Sequence, residues 1–368
     1  MVRVTPEALK TFTEELLIAL GTRKELVDPV SQALVNSNLR GHHSHGVRQI
    51  VSKYMEEIKQ GRINPHAAPS VEQEGKTWAQ VDGNLAYGQA AARLATEIAV
   101  QKAGKHTIGI VGLNDVSHIG RVGEFAEQAC SAGMGFLAFV CNPASAWVAP
   151  PGSTQRRLST NPVSIGAPTF DGADFPFIAD LSTSQVAHGK IKEYAVNNDP
   201  LPEDWAIGDG GESLTDARAY EYDDKGALLP LGGAAAGHKG FNLSVMSEVL
   251  AANVTDGSIS GMKDSSWGNH VMFVAIDLST FTPQSRIANR ASAMIEYVRS
   301  TEYSDDVPFS AAARGKQTLL PGEAEQRAKQ QYREDGIPFC HKDARDLAKA
   351  ALDAGVNDSS IPAPFQTT

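Results

Sequence analysis

Apolar residues recur at helical spacing at both ends of this chain and gather into short unbroken runs in its middle. Leu9, Phe12, Leu16 and Leu17 form one stripe behind Thr5-Pro6, a pair suited to a helix start. Residues 24–40 read as a second helix stopped by Gly41, and Val47, Ile50, Val51, Tyr54, Met55 and Ile58 as a third stopped by Gly61. A proline-bearing linker, residues 62–69, follows. The pattern then changes to strands at Trp78–Val81, Thr107–Val111, Met134–Cys141, Phe175–Ile178 and Met272–Ile276. Between them lie an alanine-rich helix over 87–103, a helix running to Ala132 out of the polar loop 114–123, and a helix opened by Gly237-His238-Lys239-Gly240. Residues 197–237, rich in Gly, Pro and Asp, read as long loops, and from Arg290 onward the chain is helical again, broken at Leu320–Glu323 and Gly336–Pro338. The pattern predicts an α/β (α+β) protein. Residues 1–75 with 289–368 would form a discontinuous helical domain, and 76–288 a strand-rich domain.

Bulk properties narrow the class. At 368 residues, 42% hydrophobic and 21% charged, the chain can bury a sizeable core. A formal charge of -10 argues against nucleic acid or an anionic membrane as partner, since both reward Lys and Arg. No apolar run reaches 18 residues, and Met1–Pro6 lacks a signal-peptide core, which predicts a cytoplasmic protein. Cys130, Cys141 and Cys340 are odd in number and far apart, offering neither a disulfide framework nor a zinc motif.

The densest chemistry lies in Gly41-His42-His43-Ser44-His45-Gly46-Val47-Arg48, at a joint between two helices. A histidine there can give a proton to a developing alkoxide, and an arginine about one turn on can clamp a carboxylate. The plainer alternative is that Ser44 caps the following helix and the histidines are solvated. Asp180, at a strand end, could orient His45 as the third member of a relay, or could simply cap its own turn. Ser117-His118-Ile119-Gly120-Arg121 and Gly237–Gly240 place glycine and a cation at helix starts, where anions bind; ordinary glycine-framed helix starts look the same. His42, His43, His106 and His270 have no comparably specific context. Three histidines so close in sequence cannot all face one ion, so no metal is expected. Neither a G-x-G-x-x-G fingerprint nor a P-loop, HExxH or G-x-S-x-G motif occurs.

Six ordered segments together carry a resemblance that spans nearly the whole chain: Ser44-His45-Gly46, Ser117–Arg121, Thr160-Asn161-Pro162, Asp180–Ser184 with Gly189-Lys190, His238-Lys239-Gly240 and Leu320–Glu323. They resemble the type 2 malate/L-lactate dehydrogenases, also called the malate/L-sulfolactate/ureidoglycolate dehydrogenase family. The resemblance implies an NAD(P)-dependent oxidoreductase with a non-Rossmann cofactor domain built on a mixed sheet, acting as a homodimer on a small 2-oxo/2-hydroxy acid. NAD is the expected cofactor and NADP the alternative. His45 is then the proton donor with Ser44 and Asp180 relaying to it, His118 a second candidate donor, and Arg48 the carboxylate clamp. Cofactor contacts are implied at His45, Gly120, Arg121, Val122, Ile178, Ala179, Asp180, Leu181, Ser182, His238, Asn269, Gly322, Glu323, Ala324 and Glu325. The shared segments add Thr160, Asn161, Lys190 and Lys239. The same scaffold also serves cyclic imino acid reductases, and a non-catalytic nucleotide-binding protein is the rival from another class.

Overall fold

The computed structural model describes residues 1–263, 267–306 and 316–366. At its centre is a seven-stranded mixed sheet. The strand Asn269–Ile276 lies in the middle, antiparallel to Ile108–Val116 on one side and Gly135–Cys141 on the other. Val271, Phe273 and Ala275 are fully buried, which is why this strand reads as a near-continuous apolar run. Beyond Gly135–Cys141 the sheet continues through Val163–Ala167 to Phe177–Leu181, both pairings antiparallel. On the other flank Trp78–Asp82 pairs with Ile108–Val116 in parallel, and Ser70–Glu74 closes the edge antiparallel to it. The edge strand is exposed throughout and carries Glu72 and Glu74, a charged border that discourages further pairing.

The parallel pair needs a crossover, supplied by the helix Gly88–His106. Its Ala91, Ala92, Ala95, Ala99 and Ala103 recur every three or four residues and are buried, so the helix lies close on the sheet. The approach is tight enough that a Cβ on Gly109 would meet the Ala99 carbonyl oxygen at 2.1 Å. Phe125, from the helix Gly123–Ser131, and Phe136 flank Phe273 with ring centroids 5.5 and 5.3 Å away. Such aromatic pairs add about 0.5–1.5 kcal/mol each beyond their buried area.

A second hydrophobic cluster draws on both chain ends: Phe12, Leu16, Leu34, Val47 and Tyr54 pack with Ile337, Leu347 and Phe365. A short antiparallel ribbon, Val2–Val4 with Ile337–Phe339, ties the termini together. The helix Gln284–Arg299 instead packs on the turn Phe170–Gly172, where the Ser292 hydroxyl donates to the Gly172 carbonyl at 2.9 Å. Residues 307–315, part of the expected C-terminal helical run, lie outside the described residues.

The stretch read as long loops holds a third small core. The helices His188–Asn197 and Ala217–Tyr222 and the ribbon Ala206–Ile207 with Ala227–Leu228 pack Ile191, Ala195, Ala217 and Leu228 around Tyr220. Elements this short carry too few apolar residues to show a period, although Asp216 marks a helix start by accepting from the N–H groups of Arg218 and Ala219. The helix expected to open at Gly237 runs from Gly233 to Thr255, with a break at Ala236 just before the expected start. The strand expected to end at Val111 continues to Val116, because Val116 still pairs with Asn269.

Candidate active site

The helix Lys24–Leu39 ends at Gly41, whose φ of 81° lets the chain turn sharply. His43–His45 then forms a single 3-10 turn. Asn38 holds it in place: its carbonyl oxygen accepts from the Val47 N–H at 2.8 Å and its amide nitrogen lies 3.0 Å from His43 Nδ1. Ser44 is not the helix cap expected from its position. Its Oγ lies 3.0 Å from His45 Nδ1, and its carbonyl accepts from the Gln49 side-chain amide. The chain resumes as one π-helical turn, Ile50–Tyr54, followed by the helix Met55–Lys59. Single π turns of this kind often accompany functional sites.

The facing wall is the loop that leaves the strand Ile108–Val116. Ser117 accepts from the Gly88 N–H at 2.9 Å. Asn269 accepts from the Ile119 N–H at 3.0 Å while donating to the Cys141 carbonyl at 3.2 Å. This clamping brings His118 beside His45, with ring centroids 5.4 Å apart and planes inclined by 31°. Burial pushes the His45 pKa down to about 4, and the charges of His42, Lys53 and Arg121 push the same way. Burial, then Lys53 and His45, drive His118 well below its ordinary value. Both rings are therefore neutral at pH 7. Among the described residues, nothing hydrogen-bonds His118 Nδ1.

Asp180 hydrogen-bonds the backbone and not His45. Its carboxylate accepts from the Gly123 N–H at 2.7 Å, at the N-terminus of the helix Gly123–Ser131, so the carboxylate takes the anion position that the sequence suggested for a ligand. Burial raises its pKa, opposed by Arg121 and by that N–H. Arg121 is in turn held from below, donating to Glu127 at 2.7 Å and Glu124 at 3.2 Å. Arg40 forks onto Glu127, and Asn36 donates to Glu124 at 2.8 Å, so the helix Lys24–Leu39 is wired to the loop carrying Arg121.

These walls enclose a cleft of ≈ 910 Å³, at the upper end of the range usual for ligand sites. Residues 4–348 match the malate/L-lactate dehydrogenase family. The chain belongs to that family. It is 33% identical to malate dehydrogenase of Pyrococcus abyssi over 83% of this chain and 84% of that one. It is 29% identical to hydroxycarboxylate dehydrogenase B of Escherichia coli O157:H7, over 98% and 97%. Among solved structures it resembles the delta1-piperideine-2-carboxylate reductase of Pseudomonas syringae pvar. tomato, with a TM-score of 0.80, 26% identity and coverage of 95% and 100%.

Of the positions that the family resemblance nominated, His45, Gly120, Arg121, Val122, Thr160, Asp180, Leu181, Ser182 and Asn269 line this cleft, as do Ser44, Arg48 and His118. Glu325 stands at its border, 3.1 Å from His42, and Gly322 is packed on the strand Phe177–Leu181, where a Cβ would meet the Pro176 carbonyl at 2.7 Å. Ile178 and Ala179 belong to that strand and not to the cleft lining, and Ala324 is exposed. Three further nominations lie outside the cleft lining. Asn161 is fully buried, its amide donating to Glu248 at 2.7 Å and to Ser244 Oγ at 3.1 Å. Glu323 closes its own turn by accepting from the Leu320 N–H and pairs with Arg299 and Arg327. Lys190 pairs with Glu193 at 3.0 Å. His238 and Lys239 are exposed outside the cleft, His238 bordering a separate hollow of ≈ 310 Å³.

Sequence reasoning missed Gln49, Ser52, Lys53 and Glu57, which line the cleft from the helical segment after His45. Their spacing was a usable signal, since they form the polar stripe opposite the apolar one already read. His188 was also missed; it stacks on Trp147 at 3.7 Å between centroids and lies 2.9 Å from Glu221.

Proposed function

We propose that this chain is a nicotinamide-dependent oxidoreductase that moves hydride between NAD(P) and C2 of a small 2-hydroxy/2-oxo carboxylic acid. The observation that carries this reading is the pair of neutral imidazoles, His45 and His118, set side by side in the wall of a cleft large enough for a dinucleotide and a small acid. The donor set suits the cofactor. Gly120 has a φ of 85°, open to close backbone approach, and side-chain atoms of Asn142, Gln49 and Arg121 that find no hydrogen-bond partner among the described residues belong to residues lining the same space. Gly120–Val122, Thr160 and Asp180–Ser182 would hold the dinucleotide, which supplies or accepts the hydride when bound.

The protein's own part is proton handling and orientation. With Nδ1–H donating to the Ser44 hydroxyl, Nε2 faces the C2 oxygen, giving up its proton when the ring is charged and accepting one when the ring is neutral. Asp180 acts at one remove, fixing Gly123 and hence the loop that carries His118 and Arg121. The acid needs a cation, and the cleft offers Arg48, Lys53 and Lys192. The sheet has one parallel pair, unlike a doubly wound nucleotide-binding sheet, which supports a non-Rossmann mode. We further propose a homodimer, NAD in preference to NADP, and a division into 1–75 with 289–368 and 76–288.

The test follows loss of reduced-nicotinamide absorbance, with NADH and NADPH separately, against pyruvate, phenylpyruvate, oxaloacetate, sulfopyruvate and a cyclic imino acid. Turnover of a 2-oxo acid supports the reading. Turnover of the imine alone moves the chain toward the reductase that it resembles in fold. Absence of both turnover and cofactor binding sinks it.

A further inference from the structure

We infer that the small core around Tyr220 supplies the wall on which the substituent at C2 lies, and that this wall selects a flat aromatic group over a second anionic one. This rests on the proposed reaction and adds to it the class of the substituent.

The wall stands next to the catalytic turn. The helix His188–Asn197 packs on His43–His45, where a Cβ on Gly189 would lie 3.3 Å from Ser44 Cβ and 3.7 Å from its hydroxyl oxygen. His188, one residue earlier, lines the cleft and lies flat on Trp147, which lines it too; the ring centroids are 3.7 Å apart and the planes 14° from parallel. Both residues are fastened in place. His188 Nε2 lies 2.9 Å from Glu221, and the Trp147 carbonyl accepts from the Leu228 N–H at 2.9 Å and the Tyr220 hydroxyl at 3.2 Å. Val186, Ala187 and Leu231 extend the same lining with apolar side chains.

Charge is spread unevenly around the cleft. Arg48 and Lys53 follow His45 in its own segment, and Arg121 follows His118 in its loop, so most of the cationic lining belongs to the walls that carry the two imidazoles. From the Tyr220 core, Lys192 is the one cation among the described residues that lines the cleft. It lies 3.7 Å from Glu221, the carboxylate that also holds His188. Burial lowers the His188 pKa against the pull of Glu221, so its ring is uncharged at neutral pH. The carboxylate on C2 therefore has cations on one side of the cleft. A second carboxylate or a sulfonate on the substituent would meet, on the other side, an ammonium already engaged and the acid that engages it. An aromatic substituent covers ring and aliphatic surface there, and stacking adds to the area it buries.

The deciding measurement is selectivity within one protein, which incomplete folding cannot shift because it scales every rate alike. The parent should show a kcat/KM for phenylpyruvate about 10-fold or more above those for pyruvate, oxaloacetate and sulfopyruvate. Trp147→Ala and His188→Ala should each lower the phenylpyruvate-to-pyruvate ratio about 10-fold, the scale of a lost apolar contact in a specificity pocket. Trp147→Phe should keep most of the ratio, which a merely structural tryptophan would not require. A parent that prefers pyruvate, oxaloacetate or sulfopyruvate overturns the assignment. A ratio unmoved by both alanine variants overturns it as well, placing the substituent on another wall. Should the parent turn over no 2-oxo acid, the reaction and the wall fall together; an active enzyme with the wrong preference loses the wall alone.

Discussion

His45 must give up a proton to a product oxygen, yet its surroundings hold that proton weakly. With a pKa near 4 the ring is the stronger acid and the weaker base of the two directions. In the oxidation direction the free enzyme needs a neutral imidazole. Its kcat/KM should therefore rise through a midpoint near pH 4 and stay level from about pH 6 to 8, where an unperturbed histidine would still be titrating. A pH profile of alcohol oxidation reads this directly; a midpoint near 6.5 would mean that the site does not depress the ring. Replacing the ring by His45→Asn should cost about 10²–10⁴ in kcat, leaving NADH affinity within a few-fold, as measured by nucleotide fluorescence. The Ser44–His45 contact was legible because the two residues are neighbours. The Asp180–Gly123 contact was not legible, because Gly123 is 57 positions away and residue types alone do not say which distant group a carboxylate will meet.

At the scale of elements, the two histidines meet only because separate segments are fastened to each other. Gly88 opens the crossover helix against the His118 loop so closely that a Cβ would lie 2.4 Å from the His118 carbonyl oxygen. Gly88→Ala should push that loop away, costing about 1–3 kcal/mol of stability and at least as large a share of catalysis. Thermal melts and kcat/KM on one preparation test both halves, and a fully active variant would show that the loop tolerates displacement. Beneath the site, Glu127 joins Arg40 to Arg121; burial works to raise its pKa, but the two guanidinium groups hold it below the usual carboxylate range. Glu127→Gln leaves buried cations poorly balanced and should destabilise by about 3–5 kcal/mol, read from denaturant unfolding. The strands around this framework were visible as apolar runs, and the crossover helix as an alanine series. The third core around Tyr220 was not, because its apolar residues are scattered singly through turns and two-residue strands. The polar stripe of Lys53 was present in the sequence but lay on a helix judged by its apolar side.

For the molecule as a whole, the same burial that tunes the site sets a response to acid. His43, His45, His118, His188 and His270 all have pKa values pushed down, in each case first by burial. Unfolding returns them to water, where imidazole titrates near 6.5. Below that pH the unfolded chain binds protons that the folded chain refuses, so stability must fall as pH drops from about 6.5 toward the folded values. His45 alone, moving from 6.5 to about 4, accounts for on the order of 3 kcal/mol across that window. Glu57, Glu124 and Asp180 work in the opposite sense: burial raises their pKa values, so the folded chain takes up their protons more readily as pH falls. The five lowered histidines outnumber the three raised carboxyls, and each carboxyl offsets the loss only below its own folded pKa, so the imidazoles set the direction. The melting temperature should accordingly drop on going from pH 7 to pH 5, and His45→Asn should flatten that drop by removing one of the five. Scanning calorimetry at matched ionic strength decides it. A melting temperature that holds steady over this range, in both proteins, would show that the buried imidazoles find compensating protons in the folded state and that the cleft is less dry than its packing indicates.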